Sequence, residues 1–418
     1  MSLSSHQGPQ YTDADRGYRT IFIPVLSPEF SEVMRVAMEA EGHRVEVARV
    51  ADERAVLLGK RHVHNDICYP AQLNIGELLV ALQSNHVPRE RVAIGLSKNC
   101  LACRAVQYSG LARKALDEAG YADVPIITSG DDPYDRHPGL RLGWRFKRKS
   151  ILGISFIDGL NEMRQRTLPY EREPGATQRV FDEALARGMK ALAESTSALR
   201  DALDEAIDAF NGIPADRSQP RPVVGILGEI LVNYHPTGNM DIAAWLLRHG
   251  MEPRFPPMLD FFRQDVVNHA VAAQRGFSRW PVVDALLSGV TDAVYAFHER
   301  PFAERLRRFR WNHPRPSVQA LAKKAEGIMD LAFSSGEGWL MPGELVHLVE
   351  QGVHSFVIVQ PFGCLPNHIS GRGTIKAIRE RHPRVQIVSI DYDPDVSVAN
   401  IENRLQMLVM GARELSRG

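Results

Sequence analysis

Residues 355–368, with the sequence SFVIVQPFGCLPNH, are the stretch that most clearly decides the fold. The apolar, β-branched run from Phe356 to Val359 predicts a buried strand, and the Pro and Gly that follow predict a tight loop. That loop presents Cys364 between Pro361 and Pro366, which restrict the backbone around the thiol. One cysteine is thus expected at the end of a buried strand, while the other three lie far upstream.

The composition is that of an ordinary globular protein without a global charge. The 418 residues include 50 Lys plus Arg and 50 Asp plus Glu, so no net field favours nucleic acid or an anionic membrane. No apolar run approaches the roughly 20 residues that span a bilayer, and Met1 to Arg16 lacks the apolar segment of a signal peptide. We therefore expect a cytoplasmic protein that binds neither nucleic acid nor membrane.

Strand and helix patterns alternate along the chain with short connections. A strand, a helix and a second strand follow one another from Thr20, which is typical of a parallel sheet with right-handed crossovers, and the alternation recurs later. We predict an α/β fold of two or three Rossmann-like or flavodoxin-like parallel-sheet units with a cysteine-lined cleft between them. The predicted divisions are a flexible arm (1–18), a first α/β domain (19–150), a helical connector (151–220), a second α/β domain (221–320) and a third α/β unit (321–418).

Two stretches around the connector carry more specific expectations. Residues 129–149 are rich in loop formers and basic side chains, and they predict a loop. One long, Ala-rich amphipathic helix is predicted from Arg179 to about Asn211.

Each of the four cysteines lies in a predicted loop between a strand and a helix. Cys68 stands just before a helix that begins near Pro70, where the helix dipole is expected to favour the thiolate. Cys100 and Cys103 form a C-x-x-C after the strand at 91–96, and Cys364 follows its own strand. Ligands of open α/β sheets bind at the carboxyl ends of the strands, so these thiols are candidates for one shared site.

Four thiolates can hold a zinc ion tetrahedrally or ligate a [4Fe-4S] cluster. Ligand chemistry alone does not choose between them. Structural zinc usually draws its ligands from two close knuckles, whereas ligands nearly 300 residues apart suit a cluster between domains better. A thioredoxin-like redox pair at the C-x-x-C, or thiols with unrelated roles, remain as further interpretations.

Polar side chains near the same predicted sheet edges are candidates for proton transfer or substrate contact. Glu229, Tyr234 and His235 follow the strand that begins at Val223, and Glu337 precedes a helix in the third unit. His368 lies four residues after Cys364 and could hydrogen-bond a cluster sulfur or act as an acid or base. A structural role is the alternative for each of them.

Several runs of the sequence also resemble one protein family. They are HNDICYPAQLNIGELLVAL, CRAVQYSGLARKALDEAG, GEILVNYHPTGN, GEGWLMPGELVHLVEQGV, QPFGCLPNHISGRG and IVSIDYDPDVSVANIENRLQML. These runs are similar to the C-terminal half of the large acyl-CoA dehydratase activase-related proteins, in the 2-hydroxyacyl-CoA dehydratase/activase superfamily. The similarity extends with gaps from about residue 20 to 410, and the motifs C-Y-P-A, C-R-A-x-x-Y and Q-P-F-x-C-L-P-N-H are its most specific parts.

The resemblance implies an oxygen-sensitive [4Fe-4S] cluster held by Cys68, Cys103 and Cys364 in a protein of low-potential electron transfer or of reductive dehydration of an acyl-CoA-type substrate. The actin-like ATPase domain of the longer relatives has no counterpart in this sequence. A separate ATP-dependent activase, itself an iron-sulfur ATPase, is therefore the expected electron donor, and the chain is expected to work in a homo- or hetero-oligomer.

Cys100 departs from the family pattern, in which that position looks glycine-like. As a fourth ligand, Cys100 would complete the coordination of the cluster and suit it to electron transfer. Without it, one iron would stay open to a substrate oxygen. A non-catalytic protein with a structural zinc site made of the four cysteines is the alternative to both.

Overall fold

The computed structural model describes residues 8–64, 66–84, 86–97, 103–128 and 137–416 of the chain. Within these ranges it contains two four-stranded sheets, and every strand pairing in both sheets is parallel. Helices flank both sheets, as expected where helical crossovers join parallel strands. The predicted α/β fold is therefore confirmed, with two parallel-sheet units of the Rossmann-like or flavodoxin-like kind.

The two sheets have the same pattern of strand order. The first consists of β1 (Thr20–Ile23), β2 (Arg44–Val47), β3 (Val92–Leu96) and β4 (Ile126–Thr128), in the spatial order β2-β1-β3-β4. The second consists of β5 (Val223–Gly228), β6 (Glu252–Arg254), β7 (Ser355–Pro361) and β8 (Gln386–Tyr392), in the order β6-β5-β7-β8. Strands from the predicted divisions 221–320 and 321–418 thus belong to one sheet.

The helices fall into three groups along the chain. Those of the first unit are α1 (Pro28–Glu39), α2 (Glu53–His62), α3 (Tyr69–Ser84) and α4 (Tyr108–Glu118). Those of the connector are α5 (Trp144–Thr167), α6 (Ala176–Glu194) and α7 (Thr196–Gly212). Those of the second unit are α8 (Ile230–Tyr234), α9 (Ile242–Arg248), α10 (Met258–Arg275), α11 (Pro281–Leu306), α12 (Val318–Ala325), α13 (Leu340–Glu350), α14 (Leu365–Ser370), α15 (Ile375–Arg381) and α16 (Val398–Leu415).

None of the helices in the described ranges has both the length and the apolar content that a membrane crossing requires.

The N-terminal arm, as far as the structure describes it, packs on the first unit. Tyr11 is fully buried there, and its hydroxyl lies 3.3 Å from Nδ1 of His43.

The predicted strand at 356–359 is confirmed as the centre of β7. All seven residues of β7 are buried, and the strand pairs with β5 on one side and β8 on the other. Val357 and Val359 pack into the core under α16, whereas Phe356 and Ile358 pack into the core under α13. Both faces are apolar because helices cover both sides of the sheet.

The connector differs from the sequence-based expectation in two places. A single helix from Arg179 to about Asn211 is wrong, because Ser195 has an extended backbone and separates α6 from α7. Its hydroxyl accepts a hydrogen bond from the Ala198 N–H at 3.0 Å and so caps α7. A loop through residue 149 is also wrong from Trp144 onward, since packing of the buried central turns of α5 extends the helix back through the basic residues.

Helix α3 belongs to the cores of both units. Ile75 and Leu78 pack with the strands of the first sheet, and Tyr69 and Leu73 pack with strands β5 and β7 of the second. Between these two faces lies Glu77, which is 1% exposed. The position of one unit relative to the other therefore depends on this helix.

Helices α2 and α3 approach each other to backbone contact. A Cβ atom on Gly76 would lie 1.9 Å from the carbonyl oxygen of Ala55, and one on Gly59 would lie 2.0 Å from the carbonyl oxygen of Gln72. Only glycine leaves room for backbone at these distances.

Replacing Gly76 with alanine should lower the free energy of unfolding by about 1–3 kcal/mol, because the added methyl group overpacks the contact with Ala55. Urea unfolding of the purified variant measures the change. The matched control is Gly289→Ala in the exposed part of α11, where the added Cβ meets no atom within 4 Å. This control should gain up to about 1 kcal/mol from helix propensity. Wild-type stability of Gly76→Ala would contradict the close packing of α2 on α3.

Candidate functional site

Cys103 and Cys364 follow strands β3 and β7 as expected, whereas the predicted place of Cys68 at a strand end is wrong, because helix α2 lies between β2 and this cysteine. Cys68 directly precedes α3, Cys103 caps the short 3-10 turn Arg104–Gln107 after β3, and Cys364 precedes α14 after β7. All three side chains are only partly accessible. Cys100 lies outside the described residues, so its predicted role as a ligand stays a prediction.

Cys68 interacts electrostatically with Cys364, and Tyr108 interacts with both Cys68 and Cys103. The hydroxyl of Tyr108 donates a hydrogen bond to the sulfur of Cys68 at 3.3 Å, and the charge of Cys103 also acts on the pKa of Tyr108. Cys68 in turn contributes to the raised pKa of Cys364, although the two residues belong to different units. The expectation that Cys364 and the upstream thiols form one ligand site stays a prediction.

Two carboxylates share the cleft with the thiols. Glu229 follows β5 and caps α8, where its Oε2 accepts a hydrogen bond from the Val232 N–H at 2.9 Å. Glu337 is 7% exposed and accepts two hydrogen bonds of 2.7 Å, from the Ile230 N–H and from the side-chain amide of Asn367. Two predicted site residues from separate stretches of chain thus lie side by side.

Asn367 connects this carboxylate pair to a sulfur. Its Nδ2 atom donates to Glu337 at 2.7 Å and also lies 3.6 Å from the sulfur of Cys364. The side chain is fully buried, on the first turn of α14. One amide group therefore contacts both an acid and a thiol of the cleft.

The protein environment disfavours the thiolates. Burial, and then the negative charges of Glu229 and Glu337, raise the pKa of the Cys68 thiol to about 12. Burial, Glu337 and Glu229 raise the pKa of Cys364 as well. The expectation that the N-terminus of α3 favours a thiolate at Cys68 is therefore wrong, because desolvation and acidic neighbours outweigh the helix dipole.

The pKa of Glu337 is strongly raised by its surroundings. Burial and the neighbouring charge of Glu229 raise the pKa of Glu337 to about 8. At neutral pH this side chain is therefore largely protonated, although its carboxyl group accepts two hydrogen bonds. A carboxylic acid that holds its proton near pH 7 can act as a proton donor.

The donor atoms of the cleft fit a positively charged metal-sulfur core by their chemistry. Three soft sulfur ligands come from three loops, and the ionic neighbours that act on them most are acidic, so a cationic core would lower the cost of forming thiolates. Within the part of the chain that the structure describes, no group of three or more His, Cys, Asp or Glu is arranged to hold a single metal ion.

The two predicted histidines have different surroundings. His368 lies one turn after Cys364, and its Nδ1 donates to the carbonyl oxygen of Cys364 at 2.7 Å. Because a carbonyl can only accept, Nδ1 carries the proton and the lone pair of Nε2 is available. His368 therefore retains one nitrogen for acid or base chemistry beside the thiol.

His235 is fully buried at the contact between the two units. Its Nδ1 accepts from the Gly238 N–H at 3.1 Å, so the proton lies on Nε2, which contacts Glu77 at 2.9 Å. Both ring nitrogens are thus engaged by protein atoms. Tyr234 also points away from the cleft, because its hydroxyl donates to the carbonyl oxygen of Pro256 at 2.8 Å.

Three residues of the site were missed by reasoning from the sequence. Tyr108 and Asn367 contact the sulfurs, and Glu77 holds His235. A signal was present for the first two, because Tyr108 ends the C-R-A-x-x-Y motif and Asn367 belongs to Q-P-F-x-C-L-P-N-H. Glu77 appeared in the sequence only as a polar residue within an apolar helix.

The chain matches no protein-family model, and it matches no curated protein. The class of protein is therefore defined by the fold and the cleft alone, as a two-unit parallel α/β protein with thiols and carboxylates between the units.

The stability of the metal-free protein should fall as the pH rises from about 4.5 to about 8, since folded Glu337 keeps a proton that the unfolded chain releases. Glu337→Gln should flatten this part of the profile, because glutamine has no proton to release. Urea unfolding at several pH values measures the slope. Exposed Glu326→Gln is the control and should keep the wild-type slope. Parallel profiles for wild type and Glu337→Gln would contradict the raised pKa.

Proposed function

We propose that the chain is an iron-sulfur protein of the 2-hydroxyacyl-CoA dehydratase/activase-related kind, with a [4Fe-4S] cluster in the cleft between its two units. Its function would be low-potential electron transfer or the reductive dehydration of an acyl-CoA-type substrate. The observation that supports this proposal is the electrostatic interaction of Cys68 with Cys364, from different units, together with the interaction of Tyr108 with both Cys68 and Cys103.

In this proposal Cys68, Cys103 and Cys364 are ligands, and Cys100 is the candidate for the fourth. When bound, the cluster would supply one-electron chemistry at low potential, or an open iron for a substrate oxygen if Cys100 is not a ligand. The chain would tune it through hydrogen bonds to sulfur. These come from Tyr108 to Cys68, from the Ala105 N–H to Cys103 at 3.3 Å and from Asn367 to Cys364.

The polar groups around the thiols would donate and accept protons. Glu337 can hold a proton at neutral pH and release it toward the cleft, and Glu229 beside it increases its proton affinity. The free Nε2 of His368 can accept or return a proton near Cys364. His235 would serve by holding α3 against the loop after α8, because protein atoms occupy both of its nitrogens.

The surface near Cys364 is suited to a protein partner. Phe362, Leu365 and Ile369 are exposed apolar side chains on the same loop and helix as this thiol. A docking partner would cover them, and the proposed partner is an ATP-dependent activase that delivers electrons to the cleft.

A second group of exposed apolar side chains, around the start of α11, supports an oligomer in the same way. It includes Phe277, Trp280, Val282 and Leu286.

Protein purified without oxygen should contain about four iron atoms and four sulfides per chain and should absorb in the visible region. Cys68→Ala and Cys364→Ala should each lose most of the iron, because each removes a ligand from one unit. Ser97→Ala, at the exposed end of β3, is the control and should keep it. Colourless, iron-free protein after anaerobic reconstitution would overturn the proposal. One zinc per chain without visible absorption would favour the structural zinc site.

The role of Cys100 can be tested separately. If Cys100 is the fourth ligand, Cys100→Ala should lose iron as Cys68→Ala does, because it also removes a ligand, and the EPR spectrum of the cluster that remains in the reduced protein should change. An unchanged spectrum would remove Cys100 from the ligand set and favour an iron that is open to substrate.

A further inference from the structure

The first two thirds of helix α11 have apolar side chains on the outside and polar ones on the inside. Within residues 281–297, every exposed residue is apolar or glycine. Polar residues of the same stretch contact α10 instead. The hydroxyl of Ser288 donates to the carbonyl oxygen of Val266 at 2.6 Å, and Asp292 pairs with Arg263 at 3.1 Å. A helix on the surface of a monomer normally has the reverse arrangement, so this face of α11 is suited to being covered.

The exposed apolar residues have the spacing that packs against another helix. Intervals of three, four, three and four residues separate Val283, Leu286, Val290, Ala293 and Phe297. This is the a/d spacing of two helices that pack side by side. The five residues, here called the α11 seam, extend over about 21 Å of helix. The occupant that this face fits best is therefore another helix.

The size of the apolar surface around the α11 seam matches one half of a stable dimer interface. Eight of its side chains are between 49% and 82% exposed: Phe277, Trp280, Val282, Val283, Leu286, Leu287, Val290 and Phe297. Because a whole aromatic side chain presents about 150–250 Å² and an aliphatic one somewhat less, these fractions amount to roughly 800 Å². The largest apolar patch of a typical monomer is about 300–600 Å². A standard interface buries about 800 Å² per partner.

The charged side chains at the two ends of the α11 seam distinguish the orientations of a second copy. Arg279 precedes the seam and Glu304 follows it, and both are exposed. In a parallel pair, each of these two side chains would meet its own counterpart, so like charges would repel. In an antiparallel pair, Arg279 of each copy lies opposite Glu304 of the other, and the two helix dipoles also oppose each other. Glu304 keeps its contact with Arg300 at 2.8 Å within its own helix.

We propose that two copies of this chain pair through their α11 seams in an antiparallel, two-fold symmetric arrangement. The register that pairs Glu304 with Arg279 also places Phe297 opposite Leu286, and Val290 opposite Ala293, so that a-type positions meet d-type positions. An interface of this kind is complete with two copies. This inference rests on the proposed function only in that it specifies the expected oligomer, and it does not require a bound cluster.

The mass of the full-length, metal-free protein in solution tests the interface. Analytical ultracentrifugation at micromolar concentration should give twice the mass of one chain. Val290→Glu should weaken the dimer at least about a hundredfold, because each copy then buries a carboxylate without a partner in the seam. In the single chain Val290 is 54% exposed, so the variant should keep its fold, which far-UV circular dichroism checks. Met407→Glu is the matched control, at an apolar residue of α16 that is 72% exposed, and it should stay dimeric.

The antiparallel orientation is tested by disulfide formation between two variants. A mixture of Leu286→Cys and Phe297→Cys should form a linked dimer under mild oxidation, because these two positions face each other across the interface. Each variant alone should remain at the background of the wild type. Linkage of Leu286→Cys to itself would show a parallel pair and contradict the proposed arrangement.

The proposal has clear contrary outcomes. A monomeric wild type, a dimer that Val290→Glu leaves intact, or a monomer that binds vesicles of phosphatidylcholine and phosphatidylglycerol would overturn it. The mass of the wild type decides even where a variant does not fold. Iron is measured separately on protein purified without oxygen. A monomer with a complete cluster would therefore overturn the interface alone, and an iron-free dimer would overturn the cluster alone.

Discussion

The arrangement of the two units depends on one buried carboxylate, that of Glu77 on α3. It accepts hydrogen bonds of 2.8 Å from the backbone N–H groups of Val25 and Ala51 in the first unit, and it contacts Nε2 of His235 in the second. A carboxylate is very costly to bury unless such donors compensate it. These three donors meet only when the chain after β1, the chain after β2 and the loop after α8 are all in place around α3. The cleft that holds the cysteines is defined by the same arrangement.

Within that cleft, the protonation of the thiols and carboxylates is governed by their burial away from water. Thiols and carboxylates that would ionise independently in solution share one buried region, and each disfavours the charge of the others. The protonated state of Glu337 and the raised pKa values of Cys68 and Cys364 are consequences of this shared environment. A bound cation would reverse the effect on the thiols, because it would stabilise their thiolates.

A cavity lined by residues of α5, α8, β6 and α13 is separate from the cleft, but two helices extend from one to the other. Glu229 in the cleft caps the N-terminus of helix α8, and the last residues of this helix, Asn233 and Tyr234, line the cavity. Helix α13 follows Glu337, and Glu344 on its second turn faces the cavity. The charge of Glu337 also contributes to the raised pKa of Glu344. The protonation states of the two regions are therefore linked through short, rigid elements.

The sequence by itself determined those features that depend on local pattern. The strand at 356–359, the helix after Cys68 and the position of each described cysteine before a helix all follow from apolar periodicity and from Pro and Gly. Only the tertiary structure decided the break at Ser195, the partners of Glu77, and the contacts of Tyr108 and Asn367 with sulfur. It also decided the protonation of Cys68, which the helix N-terminus alone would have predicted wrongly. Burial and neighbouring charges come from residues distant along the chain, and no local pattern contains them.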